Sequence, residues 1–357
     1  MDLFPYILLI ICCIIFGFSK YKTKDNSLYI YFLILFFSAF RYQTGYDYGN
    51  YLETILLEGK EEKFEIIVQW IIRLSRATHF QVFFSLTSFL VLYPIYKLSK
   101  KYSVDPSLTL IVYILFPVFF LESLSIIRNA VAISLTLLAI DKYIEKSYLK
   151  AFIFYICAIG FHLSAIVAII LLILYRLKLS RNILVVLYFF SFLISPVILK
   201  IISSFHSEAG LLFKLSNYAA NGKIGAGASM AILINAIGIM CLVFWNRIEN
   251  LNNNNKLWLM YSMVGVICWN SFSFEGTLRL RISSYFLIFL ILVIPSFKYM
   301  FRKIPPRVMK VTLVVCLLFV FMTSFYININ GHMKDLSKMS VLPYQTVFNR
   351  VEYSQYK

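Results

Sequence analysis

Long apolar runs, separated by short polar connections, fill this chain almost from end to end. Twelve of the runs approach the length a helix needs to cross a hydrocarbon core. They lie near 3–18, 27–40, 80–97, 107–121, 126–141, 147–160, 163–177, 183–203, 228–246, 257–273, 281–297 and 309–327. The pattern predicts an all-α fold: a polytopic integral membrane protein of about 12 transmembrane helices, with 1–357 as a single integral membrane domain. The first run, LFPYILLIICCIIFGF, is followed by KYKTK rather than preceded by it. A cleaved signal peptide has the opposite order, so this run is expected to be a retained span.

The connections fall into two sets. KYKTKDNS (20–27), KLSKKYSVD (97–105), DKYIEKSYLK (141–150), YRLKLSR (175–181), NRIENLNNNNK (246–256) and KYMFRKIPPRVMK (298–310) are short and rich in Lys and Arg. The other set includes 41–79, which carries the acidic LEGKEEKFE, then 204–227, and the tail 328–357. The positive-inside rule makes the first set cytoplasmic and turns both termini outward. Within 41–79, FEIIVQWIIRLSRATHF has apolar residues at helical spacing, as in an amphipathic helix on the membrane surface. A short re-entrant or buried helix has the same pattern.

Composition agrees with this picture. Hydrophobic residues make up 60% and charged residues 14%, against the roughly 25% charged of soluble domains. The net charge of +17 resides mostly in the short loops, where it sets topology, so no nucleic-acid partner is expected. Cys12, Cys13, Cys157, Cys241, Cys268 and Cys316 lie in apolar runs without metal-ligand spacing and read as small hydrophobes. No internal repeat, P-loop, HExxH or dinucleotide fingerprint occurs.

Polar residues at the edges of spans are costly and tend to mark sites. Here they are Arg41 and Asp47; Glu122 and Arg128; His162; His206 and Glu208; and Glu275, Arg279 and Arg281. All fall on the predicted outward side. Taken singly, an arginine at a helix end also snorkels to headgroups, His162 also fits an interhelical contact, and Tyr42, Tyr46, Tyr48 and Tyr51 also fit an interfacial aromatic belt. His206 and Glu208 read as ordinary loop residues. The arginines as a set point to an outward cavity for an anionic, lipid-linked substrate, because guanidinium forks match phosphate oxygens. Asp47 and His162 are the candidate general bases. If the segment is helical, Asp47 and Tyr51 share a face, as do Arg281 and Tyr285; Arg279 points away from Arg281.

These residues also resemble a known family. FSAFRYQTGYDYGNY resembles the R-x-x-x-G-x-D-x-x-x-Y signature of EpsG-type membrane proteins, at Arg41, Gly45, Asp47 and Tyr51. SIIRNAVA and, about thirty residues later, FHLSA are similar to the family's central block, at Arg128, Ala132, Phe161, His162, Ser164 and Ala165. RISSYF resembles a late R-x-x-x-Y, at Arg281 and Tyr285, and LPYQ a weaker closing motif, at Pro343 and Tyr344. The blocks fall in the family's order over most of the chain.

The family includes Wzy-type O-antigen and other surface-polysaccharide polymerases. The resemblance implies a GT-C-like glycosyltransferase in the bacterial cytoplasmic (inner) membrane, with its active site facing outward. It would transfer a growing glycan from undecaprenyl pyrophosphate to the next lipid-linked repeat unit. Implied partners are the lipid-linked oligosaccharide, membrane lipid, a chain-length regulator and a flippase. No cofactor and no metal is implied. Asp47, His162, Arg128 and Arg281 would be catalytic; Arg41, Tyr51, Arg279 and Tyr285 would bind substrate. Another carrier-linked glycan transferase or ligase would share the one-sided arginines. A flippase for the same lipid would need charges reachable from both faces and commonly shows related halves. The sugar, the linkage and its stereochemistry, and the kind of polymer are not written in the sequence.

Overall fold

The computed structural model describes residues 3–19, 26–204, 228–332 and 341–348. Expectations for His206, Glu208 and the rest of 205–227, for the basic stretch 20–25, and for 333–340 and 349–357 lie outside the described residues. What is described is helical apart from one two-residue strand pair.

Helices occupy all twelve predicted runs, but several are shorter than the runs. Among the described residues, three helices are long and apolar enough to cross a membrane: 81–102, 181–201 and 306–326. A fourth is added if 276–287 and 290–299, bent by 42°, count as one span. Six more apolar helices have 10–17 residues. The expected run 107–121 illustrates the shortening. Its helix stops at Leu115, with Phe116 extended, because Pro117 disfavours helical backbone in the residue before it.

Contacts divide the chain into two compact units, Met1–Ala165 with Arg307–Lys357, and Ile166–Pro306. The first unit contains α1 (Phe4–Phe18), α2 (Asn26–Ala39), β1 (Arg41–Tyr42), α3 (Tyr48–Leu56), α4 (Ile66–Ala77), α5 (Gln81–Tyr102), α6 (Pro106–Leu115), α7 (Phe120–Ser125), α8 (Ile127–Ile144) and α9 (Tyr148–Phe161). Its core is apolar and aromatic, with Phe83, Phe84, Tyr113 and Phe116 fully buried.

The basic connections of this unit meet one another. Asp141, at the end of α8 and fully buried, accepts from Lys101 Nζ at 2.5 Å and from the Tyr102 hydroxyl at 2.8 Å, both from the end of α5. Lys310 donates to the Gly17 carbonyl at the end of α1 (2.8 Å) and to Asp105 Oδ2 (2.9 Å). Asp105 in turn caps α6 by accepting from Leu108 N at 3.0 Å. So residues from the loops 97–105, 141–150 and 298–310 come together in ion pairs.

The second unit contains α10 (Ile169–Leu177), α11 (Arg181–Ser204), α12 (Ala228–Val243), α13 (Trp245–Glu249), α14 (Asn255–Ser271), α15 (Gly276–Leu287) and α16 (Leu290–Val293). Helix α17 (Pro306–His332) leads back into the first unit. Helix α14 is the hub of the second unit. At Gly265 the backbone of α15 comes so close that an added Cβ would lie 2.6 Å from Leu287 N. Asn235 and Asn270 exchange amide hydrogen bonds at 3.0 and 2.9 Å, and the Tyr188 hydroxyl donates to Asn235 at 3.0 Å. In an apolar surround each polar group needs a partner, and here three helices supply them to one another.

Candidate active site

The stretch between α2 and α3 makes a tight turn that only its glycine permits. Gly45 has φ 103°, and a Cβ there would sit 2.1 Å from the Leu124 carbonyl oxygen. That contact presses the turn onto the end of α7. The turn then enters α3: Tyr48 N donates to Gly45 O, and Tyr51 N to Asp47 O, both at 3.1 Å. Asp47 is thus the N-cap residue, and the expected i, i+4 relation between Asp47 and Tyr51 is present.

Tyr51 is held rigidly. Its ring is buried and stacks on Phe83 at 4.7 Å and Phe64 at 5.4 Å. Its hydroxyl accepts from Arg128 Nε at 2.8 Å. The Arg128 guanidinium lies 4.8 Å from the Phe64 ring centroid and pairs through Nη1 with Glu65. The motif tyrosine and the central-block arginine, 77 residues apart, are therefore direct partners. Two carboxyls stand close by. Glu122, half-buried on α7, feels the charge of Asp47; burial first, and that charge second, push its carboxyl up to about 7. A carboxyl titrating there is suited to proton transfer near neutral pH.

One residue beyond Arg128, Asn129 begins a relay. Ser164 Oγ lies 3.0 Å from Asn129 Oδ1 and 2.7 Å from His162 Nδ1. The Ser164 backbone N–H also donates to His162 Nδ1, at 3.2 Å, so Nδ1 is an acceptor and the neutral ring carries its proton on Nε2. His162 caps the end of α9, which fixes the ring beside α8.

Arg41 is turned into the protein. It is 1% exposed and donates through Nη1 to the Ser38 carbonyl (2.6 Å) and Ser88 Oγ (3.2 Å). Its guanidinium lies 5.4 Å from the Phe84 ring centroid. Burial lowers its pKa to about 10, against the opposing influence of Tyr48, Tyr344, Tyr6 and Tyr113. It borders a narrow crevice with Thr87, Ser88, Ser123 and Ile127 among its walls. The strand it begins pairs antiparallel with β2 (Gln345–Thr346), Arg41 opposite Thr346 and Tyr42 opposite Gln345. Just before β2, the Tyr344 hydroxyl donates to the Phe37 carbonyl at 2.6 Å and its ring stacks on Phe37 at 3.9 Å. The LPYQ motif thus closes over the end of α2.

In the second unit, Glu275 caps α15 by accepting from Thr277 N at 3.0 Å and from Leu278 N. Arg279 is 7% exposed; it donates to the Trp269 carbonyl at 2.9 Å and lies over the Trp269 indole at 4.8 Å. That use is internal: it ties α15 to the end of α14. Arg281 and Tyr285 lie one turn apart on α15, as expected, with Tyr285 buried and Arg281 half-buried. Among the described residues no three of His, Cys, Asp and Glu come together as a metal site.

Two participants were not singled out by the sequence. Glu65 was one acidic residue in an acidic loop, and Asn129 an unremarked neighbour of Arg128. The faint signal for Glu65 was its place directly before an amphipathic helix.

Comparison with curated proteins and with solved structures returned no match. A family model, that of the EpsG family, matches residues 27–346, which span all four motif blocks. The chain belongs to the EpsG family.

Proposed function

We propose that the protein is a polysaccharide polymerase working on lipid-linked repeat units at the outer face of the bacterial inner membrane, with about twelve crossings in a GT-C-like arrangement. The observation that carries this reading is the first-unit cluster: Arg128 oriented by Tyr51, the Asn129–Ser164–His162 relay beside it, and Asp47 with Glu122 across the Gly45 turn. A cation held in place next to several proton acceptors is what transfer from a diphosphate carrier requires.

In the reaction, a sugar hydroxyl of the incoming unit attacks the anomeric carbon of the growing chain. The new C–O bond forms as the bond to the carrier diphosphate breaks, and the electron pair leaves with the diphosphate. Arg128 stabilises that departing charge, an effect commonly worth ~3 kcal/mol per fixed donor. The hydroxyl proton passes to His162 or to the Asp47–Glu122 pair. The same reading gives Arg281 a charge-neutralising role, and Tyr285 a supporting one on its helix.

The test is a deletion strain complemented with wild type or Arg128→Ala, its surface glycolipid resolved on a silver-stained gel. Wild type restores the ladder. Arg128→Ala, present in the membrane at normal level, leaves a single core-plus-one-unit band. A full ladder from Arg128→Ala overturns the role of Arg128. Loss of even the single unit in the deletion strain points to a ligase or flippase.

A further inference from the structure

Glu65 begins α4 with extended backbone, φ −63° and ψ 152°, but its carboxylate makes no cap hydrogen bond. An acidic side chain at that position ordinarily accepts from the backbone N–H groups of the first turn. Glu65 reaches across to Arg128 Nη1 instead. Arg128 is fixed from its other side: Tyr51 holds Nε, and Phe64 lies beneath the guanidinium plane. Nη2 meets no acceptor among the described residues. The pair is open to the outside, with 26% of the arginine side chain and 25% of the glutamate side chain exposed.

The two partners therefore differ in freedom. The cation is clamped, whereas the carboxylate has a second place to go, the uncapped N-terminus of its own helix. Helix α4 suits such a change. Val68, Ile71 and Ile72 are buried and anchor it, while Ile66, Trp70 and Leu74 form an exposed apolar stripe. A carboxylate presents to a guanidinium the same paired oxygens that a phosphate does, with less charge.

We infer that Glu65 is a resident occupant of the anion seat on Arg128, displaced by the diphosphate of an incoming lipid-linked substrate and received by the N-terminus of α4. The inference rests on the reading of Arg128 as the residue that binds the diphosphate. Its consequence is selectivity. A ligand must carry more negative charge than a carboxylate to take the seat, so a diphosphate succeeds where carboxylate-bearing headgroups do not.

The test is titration calorimetry of the purified full-length protein in detergent with inorganic pyrophosphate. Wild type, Glu65→Gln, Glu65→Asp and Arg128→Gln are compared, each checked by size-exclusion chromatography. Glu65→Gln is expected to bind about fivefold more tightly than wild type, the usual order for removing a partly exposed competing ion pair. Glu65→Asp, too short to span the same distance, is expected to bind about twofold more tightly. Arg128→Gln is expected to lose binding.

If Glu65→Gln binds no more tightly than wild type while Arg128→Gln loses binding, Glu65 only positions the arginine; the inference falls and the seat on Arg128 stands. If Arg128→Gln binds as wild type does, or if no variant binds, the reading of Arg128 falls and takes the inference with it. Should Glu65→Gln elute as aggregate, Glu65→Asp decides by the same comparison.

Discussion

Arg41 and Arg128 show one side chain put to two uses. Arg41 is enclosed by Ser38, Ser88 and Phe84, whereas Arg128 sits at an open edge with Tyr51 behind it. Tyr51→Phe isolates the contribution of that backing. The ring stays between Phe64 and Phe83, so folding should be unaffected, but Arg128 loses a charged hydrogen bond worth about 1.5–3 kcal/mol. Polymer synthesis should fall by about tenfold or more at unchanged protein level, measured as ladder intensity per unit of membrane protein. Glu122 gives a residue-scale pH signature. Its folded-state pKa, about 7, lies above the ordinary carboxyl value of 4.5. The folded state therefore holds the proton more tightly, and its stability declines as pH rises across that interval. Melting of the purified protein between pH 4.5 and 7.5 should show this decline, and Glu122→Gln should flatten it. A slope unchanged in Glu122→Gln would assign the effect elsewhere. At this scale the sequence was partly legible. Helical spacing correctly paired Asp47 with Tyr51 and Arg281 with Tyr285. It could not find Glu65, 63 residues from its partner. Nor could it find the burial of Arg41, since a cation next to an apolar run looks the same whether it turns to water or to the interior.

Helix α4 and the loop before it form the element most worth perturbing. Arg76, near the end of α4, donates to the carbonyls of Thr54 (2.8 Å), Ile55 (3.0 Å) and Leu57 (2.9 Å), the last turn of α3 and its cap. It also takes both oxygens of Glu61, at 3.1 and 2.9 Å. A guanidinium at a helix C-terminus satisfies carbonyls that have no intrahelical donor and opposes the helix dipole. Arg76→Ala removes all five bonds. The segment between α3 and α4, which carries Glu58, Lys60 and Lys63, should then become a preferred cleavage site in limited trypsin or Glu-C digestion. An unchanged digestion pattern would mean the staple is redundant. The amphipathic helix itself was legible from 3.6-residue spacing. Its partners were not, because a staple made of backbone carbonyls leaves no trace in side-chain patterning. The breaks in other runs were not read from the pattern: the run 107–121 continues in apolar residues past Pro117, and the bend near Leu287 and Leu290 lies in an uninterrupted apolar stretch.

At the scale of the whole molecule, the first unit is assembled from both ends of the chain, with Ile166–Pro306 lying between its parts in sequence. A chain ending after residue 340 would lose β2, the Tyr344 contact to Phe37, and the Val341 carbonyl that accepts from Tyr6 at 2.8 Å. Such a chain should still enter the membrane but lose polymer synthesis and melt at a lower temperature; normal synthesis would show the closing strand to be dispensable. Charge grouped the basic loops, and residues of three of them do pair with one another through Lys101–Asp141 and Lys310–Asp105. The return of the C-terminal segment was not legible, since a two-residue strand carries no periodicity.

That return has a temporal meaning. Tyr344 and Phe37 are 307 positions apart. At a synthesis rate of about 5–20 residues per second, β1 waits roughly 15–60 s for the strand that pairs with it. During that interval Tyr6, Phe37 and Arg41 lack their cover, while the whole intervening unit enters the membrane. The seal is therefore a record that synthesis has passed β2: a polypeptide abandoned before residue 345 cannot make it, and the open edge at Arg41 would distinguish it from one that can.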